Sequence, residues 1–461
     1  MLAAEELDRR WSLAAIARQM RAGALSAVEL TEHCLARVAQ WEPQVHAFVS
    51  LMADSARQDA RRAQAEISAG HWRSALHGIP VGLKDVIDVA GVPTTAQSRQ
   101  LLGHVPRHDA AVSASLRRAG AVLMGKLTTH EFAFGTPDPH GPFPPARNPW
   151  DTDRFASGSS SGAAVATACG MVLGAVGTDT AGSVRSPAAL CGVAGFKPGR
   201  QRLDRAGTLP LSPSLDTLGV LGWTVEDCAL QYAVLAPEAT AGWALDAAGC
   251  PVLDTDMRSL RVGVIRHFFE EDAPVSDDAR TAIDDAVDVL RMLGCRVANV
   301  RVPPLQDWNA AGMVTLLAEA YAEHEPWLRG SENLYGESLR DALLLGATIS
   351  AADYLHARHR MGALSAQLDA VFERFDVLVT AIQPGEAPLM SAVSKWGFIE
   401  RPSFGLPFNV SDLPALAVHC GTGRHGLPLS LQMVSGRHAE ATLLSVAHTF
   451  ECALGGRQAL P

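Results

Sequence analysis

The chain has 461 residues, 48% hydrophobic and 19% charged, which supports a large buried core and excludes a disordered chain. Its formal charge of −10 and pI near 5.9 lack the basic footprint of a general nucleic-acid binder, so no nucleic-acid partner is expected. Eight cysteines without a C-x-x-C pair indicate neither a zinc site nor a disulfide framework.

The first residues, MLAAEELDRRW, carry acids and no apolar stretch, so no signal peptide is expected. The longest low-charge run, 162–178, is too short to span a bilayer. A soluble, cytoplasmic protein without membrane contact is the expectation, and both a monomer and a homodimer remain open. Only four of the 39 cationic residues are lysines (Lys84, Lys126, Lys197 and Lys395), so a lysine in an apolar stretch is less arbitrary than usual.

In chain order, residues 6–75 read as helices that wrap a core. Ser12 caps a segment with Leu13, Ile16 and Met20 on one face, and Ser26-Ala-Val-Glu29 has the form of a capping box. Asp54 to Ser68 is an Ala/Arg-rich helix. From 78 to 235 the pattern becomes short apolar runs broken by glycine. The runs 81–91, 121–127 and 172–182 read as buried strand-and-loop units, with helices at 111–120 and 161–170 between them. Residues 236–258 read as a surface connection, the start of a more variable region through 375. There, 260–265 and 295–302 read as strands around a helix from Ser276 to Leu293, followed by helical 309–373. A strand at 377–382 begins the C-terminal return to the core sheet, 376–461. The expected fold is α/β: one large domain over 1–461, a mixed twisted sheet covered by helices on both faces.

Three segments carry chemistry. In GIPVGLKDVIDVAG (78–91), Lys84 lies among Val81, Leu83, Val86 and Ile87. Its structural reading is a strand-end lysine that snorkels to water or pairs with Asp85. ASGSSSGAAVA (156–166) reads as a Gly/Ser connector or as a G-x-S-x-G nucleophile elbow with Ser160 as nucleophile. GTDTAGSVRSPAALCGVAGFKPGR (177–200) has a glycine-rich turn ending in a serine, where backbone N–H groups can converge on a developing negative charge. No phosphate-loop pattern is present.

Together these segments resemble the amidase signature family, with its G-x-P-x-x-x-K-D, G-G-S-S-[SG]-G and G-T-D-x-G-G-S-[IV]-R-x-P motifs. Lys84 and Ser159 are 75 residues apart and Ser159 and Ser183 are 24 apart, as is usual there. The segments 119–135, 406–421 and 426–434 extend the likeness, which is weakest over 236–375. The resemblance implies Ser183 as nucleophile, Ser159 as bridging serine after a cis Gly158–Ser159 peptide, and Lys84 as base. It also implies an oxyanion hole from the N–H groups of Thr180, Ala181, Gly182 and Ser183. Asp179, Ser160 and Arg185 fall on supporting positions, and Ala133, Phe134 and Gly135 on the acyl pocket. No metal or other cofactor is implied. Ser157 and Ala181 replace glycines of the family pattern, and Ala181 keeps its N–H unless the site requires a positive φ there.

The expected activity is therefore a serine amidohydrolase acting on small-molecule amides or carbamates, of the kind urethanases and aryl acylamidases cleave. The aromatics Phe134, Phe143, Trp150, Trp396, Phe398 and Phe404 favour apolar or aryl amides. Two other readings stay open: an esterase of the α/β-hydrolase type using Ser160 and a histidine, and an amidase subunit of a larger complex.

Overall fold

Strands β1 (Phe48–Leu51), β2 (Pro80–Lys84), β3 (Val122–Leu127), β4 (Gly174–Asp179), β5 (Ala194–Lys197) and β6 (Thr217–Gly222) make up the N-terminal part of one mixed sheet. It continues with β7 (Arg261–Val264), β8 (Arg296–Asn299), β9 (Val377–Ala381), β10 (Ala415–Thr422) and β11 (Pro428–Ser435). The strand order is β1-β3-β2-β4-β6-β5-β10-β11-β9-β7-β8 in the computed structural model, which describes residues 12–455. Residues 6–11 of the expected helical wrap lie outside the described residues.

Both faces of the sheet are covered, as the apolar strands require. Neighbouring residues on a strand enter opposite cores: Leu123 and Val176 join one buried cluster, while Val122, Met124 and Ala175 join the other. The helices Leu13–Arg21, Val225–Leu235 and Asp277–Met292 contribute to the first, and Ser161–Ala168 with much of Ala27–Val45 to the second. This is the α/β architecture anticipated from sequence, in a single large domain.

Several local expectations change. The helical region 6–75 contains strand β1, which pairs antiparallel with β3 and closes that sheet edge. Its four residues are too few for a period to register. Ser26 accepts from the N–H groups of Val28 and Glu29, an N-cap without the reciprocal half of a capping box. The helical stretch begins at Leu305 instead of 309 and is divided into Leu305–Ser331, Glu337–Gly346 and Ala351–Asp369.

Pairing sets up the site. Strand β2 runs parallel to β4, with Val81 opposite Gly174 and Leu83 opposite Val176. Their C-terminal ends, Lys84 and Asp179, therefore emerge at the same end of the strands, where α/β proteins assemble their sites.

Candidate active site

Lys84 is fully buried. Its Nζ donates to Ser159 Oγ and to Thr178 Oγ1, both at 2.7 Å. Asp85, the neighbour that a structural reading assigned to it, is engaged elsewhere: it meets Lys126 Nζ at 3.0 Å, both side chains wholly buried, and accepts from Thr95. Lys84 is left with hydroxyl partners. Burial pushes its ammonium pKa down to about 7, against the upward pull of Asp179 and Asp216.

Ser159 follows a cis peptide bond from Gly158 and precedes the helix Ser161–Ala168. Its carbonyl accepts from the His130 N–H at 3.1 Å. The His130 ring lies against the Gly158 backbone, where an added Cβ would collide with it, and is held by a hydrogen bond between Nδ1 and the Gly135 carbonyl at 2.9 Å. Burial pushes this imidazole down to about 4, so it is neutral at physiological pH. The next residue, Ser160, is fully buried. Its Oγ donates to the Thr178 carbonyl at 3.1 Å and accepts from the Thr178 N–H at 3.3 Å. A hydroxyl committed to strand β4 in both directions is poorly placed for the elbow reading.

Ser183 is half-buried in the turn after β4, and its carbonyl accepts from the Ser160 N–H at 3.1 Å, which ties the two serine segments together. The turn is organised by Asp179. Its carboxylate accepts from the N–H groups of Gly182 (2.9 Å) and Val184 (3.0 Å) and from Arg185 Nε (3.0 Å) and Nη2 (2.7 Å). Asn409 Nδ2 donates to the same carboxylate at 2.9 Å, and its Oδ1 accepts from Arg185 Nη2 at 2.7 Å. Burial alone would raise the Asp179 pKa, but the Arg185 guanidinium outweighs it and holds the carboxyl far below the usual range.

The four N–H groups expected to form the oxyanion hole differ in their hydrogen bonding. The Gly182 N–H is spent on Asp179. Among the described residues, the N–H groups of Thr180, Ala181 and Ser183 have no protein acceptor. Ala181 is absent from the residues with positive φ, whereas Gly182 sits at φ 114°, so the glycine-to-alanine departure costs no strain. The Ser157 departure does place a non-glycine residue at φ 61°. Ser403 Oγ donates to the Ala181 carbonyl at 2.8 Å, and Thr180 Oγ1 donates to Asp216 at 2.7 Å.

Beside this turn lies a cleft of about 210 Å³, lined by Ala133, Thr178 and Thr180 and by the segment 205–218. Of the expected pocket residues, Ala133 reaches it. Phe134 instead stacks edge-on against Phe398 at 5.1 Å, and the Gly135 carbonyl serves His130. Trp150 donates to the Cys191 carbonyl and packs beside Leu190, and Phe404 is buried in the main core. The apolar walls come instead from Leu209, Pro210, Leu211, Pro213 and Leu218, accompanied by Arg205 and Asp216. Sequence reading missed this segment, and it missed Thr178, Asn409 and Ser403. Thr178 and Asn409 carried a signal, because they lie inside the 177–200 and 406–421 segments.

Residues 29–444 match the family model described as Amidase. The chain belongs to the amidase signature family, whose members hydrolyse carboxamide C–N bonds. A relative from Chloroflexus aggregans, named as one of the subunits of glutamyl-tRNA(Gln) amidotransferase, is 36% identical over 465 residues, spanning 94% of each chain. A crystal structure of an amidase superposes with a TM-score of 0.87 at 30% identity, covering 96% of this chain and 100% of that one. The peptide amidase from Stenotrophomonas maltophilia superposes at 0.82 with 28% identity, covering 98% of both chains.

Proposed function

We propose that this amidase is a free-standing serine hydrolase of small-molecule amides, with Ser183 as nucleophile, Ser159 as proton bridge and Lys84 as base. The observation that carries the reading is the buried Lys84 amine, 2.7 Å from Ser159 Oγ with its pKa pushed to about 7. A lysine in water, near 10.4, is a cation and useless as a base. When Lys84 is neutral, Ser159 becomes the donor and Nζ the acceptor. Ser159 then draws the proton from Ser183 as Ser183 attacks the carbonyl. Charge growing on the carbonyl oxygen meets the uncommitted N–H groups of the 180–183 turn, held in place by Asp179. The same proton path, reversed, protonates the leaving amine, and water releases the acid from the Ser183 ester.

The apolar wall of the cleft, from Leu209 to Leu218, suits an apolar or aryl acyl group, and carbamates fit the same acyl transfer. Amine release from aryl amides and matched aryl carbamates, with Ser183→Ala and Lys84→Met alongside, tests the assignment. Release that survives in either variant at more than about a hundredth of the wild-type rate refutes that residue's role. A second reading, one component of a larger amidase complex, is favoured by the 36%-identical amidotransferase relative. Turnover by the isolated chain supports the free-standing enzyme, and turnover only with a co-purifying protein supports the complex.

A further inference from the structure

The segment 205–218 lines the cleft, and around it three arginines carry more donors than the described residues satisfy. Arg205 lines the cleft itself, and its guanidinium makes one hydrogen bond among the described residues, from Nη2 to the Pro213 carbonyl at 3.3 Å. Its acid neighbour, Asp216, stands 3.8 Å away, beyond hydrogen-bond length. Asp216 is already filled: Oδ1 accepts from Thr180, and Oδ2 from the N–H groups of Leu211 (2.9 Å) and Ser212 (3.0 Å).

The same holds for the other two. Arg358 reaches Glu319 only at 3.8 Å, while Glu319 accepts from Ser212 Oγ (2.6 Å), the Ser214 N–H (2.9 Å) and Tyr354 (2.8 Å). Arg200 donates from Nη2 to the Asn409 carbonyl at 3.4 Å and reaches Asp412 with its side chain only at 3.9 Å. Among the described residues, Arg358 Nη1 and Arg200 Nε are buried atoms without a hydrogen-bond partner, and so is Thr208 Oγ1 on the cleft wall. Burial, and then the like charges of Arg205 and Arg358, pull Arg200 below its usual pKa against the opposing charge of Asp412. Buried donors normally find acceptors, and the two buried nitrogens stand beside Arg205, whose side chain is 34% exposed and opens into the cleft, so this group of guanidinium N–H donors fits an acceptor that arrives with the ligand. A planar fork with surplus donors matches a carboxylate in particular.

We propose that Arg205, backed by Arg200 and Arg358, receives a carboxylate at the far end of the substrate's acyl group. The enzyme then prefers monoamides of dicarboxylic acids whose two ends are joined by an apolar or aryl spacer lying along Leu209 and Leu211. The inference rests on the reading that the amide carbonyl docks at the 180–183 turn, which leaves the acyl group in this cleft.

Binding separates the two claims. Terephthalamate and its neutral isostere 4-nitrobenzamide are titrated calorimetrically into Ser183→Ala protein, and both are assayed for ammonia release with wild type. The expected result is at least about 10-fold tighter binding of terephthalamate, lost on adding Arg205→Met and partly kept with Arg205→Lys. Arg358→Met should weaken it less. Equal binding of the two ligands, or a preference that survives Arg205→Met, overturns the carboxylate site even if wild type hydrolyses both. Arginine-dependent binding without ammonia release in wild type upholds the site and counts against the hydrolase reading alone.

Discussion

Replacing Asp179 with asparagine changes one heavy atom in the most heavily bonded carboxylate of the site. Oδ1 and Oδ2 together accept from Gly182, Val184, Asn409 and two nitrogens of Arg185. An amide keeps one acceptor and turns the other into a donor, which must then face the N–H donors it used to satisfy. It also leaves the Arg185 guanidinium, wholly buried, without its counter-charge. Breaking a buried ion pair from one side costs about 3–5 kcal/mol. At 1.4 kcal/mol per decade, this is a drop of about 10²–10³·⁵ in the folding equilibrium. Urea unfolding followed by tryptophan fluorescence measures it. Arg185→Met added to Asp179→Asn should recover part of the loss, because the uncompensated charge is gone. The sign with pH follows from the depressed carboxyl: its contribution is complete above the ordinary carboxylate pKa and is lost as pH falls through the folded value. A single-variant cost below about 1 kcal/mol, or a double variant less stable than the single, would refute the view that Asp179 holds the turn through Arg185.

Three further outcomes follow from the geometry. With Lys84 near 7 and active only when neutral, kcat/KM should rise tenfold per pH unit below about 7 and level off above it; a profile that falls with rising pH from 6 to 8 removes Lys84 as base. A fluorophosphonate probe should label the peptide containing Ser183 and leave Ser160 unmodified, as read by tandem mass spectrometry; label on Ser160 would restore the esterase reading. Ser157→Gly should raise the melting temperature: relief of left-handed strain, about 1–2 kcal/mol, exceeds the extra chain entropy of glycine, about 0.5–1 kcal/mol. A lowered melting temperature means that the Ser157 side chain contributes more than its backbone costs.

The strands that frame the site were legible because β2, β3 and β4 are buried on both faces and read as apolar runs bounded by glycine. Strand β1 was not, since its half-buried residues follow the long helix Ala27–Val45 and draw their pairing from β3, far along the chain. Lys84, Ser159 and Ser183 were legible through motif spacing, and the 2.7 Å Lys84–Ser159 contact is consistent with that reading. What sequence order conceals is the division of labour among adjacent groups. Nothing in G-T-D-T-A-G-S says that the glycine N–H serves Asp179 while its neighbours stay uncommitted, because that depends on how Arg185 and Asn409 fix the carboxylate. Asn409 arrives from 230 residues away.

That division also bears on why the turn tolerates its alanine. The positive φ is concentrated at Gly182, the residue whose N–H must turn back toward Asp179. Residue 181 is then free to take an ordinary conformation, and its carbonyl is pinned by Ser403, whose own N–H donates to Asn309 at 2.7 Å. The backbone at 181 is thus fixed through its carbonyl, and a methyl group there changes neither the direction of the N–H nor its availability. The glycine that matters in this motif is the one that supports the turn. Gly182→Ala should therefore damage turnover far more than the natural alanine at 181 does, through forced left-handed backbone costing about 1–2 kcal/mol at the residue beside Ser183. Equal kcat in Gly182→Ala and wild type would contradict this account.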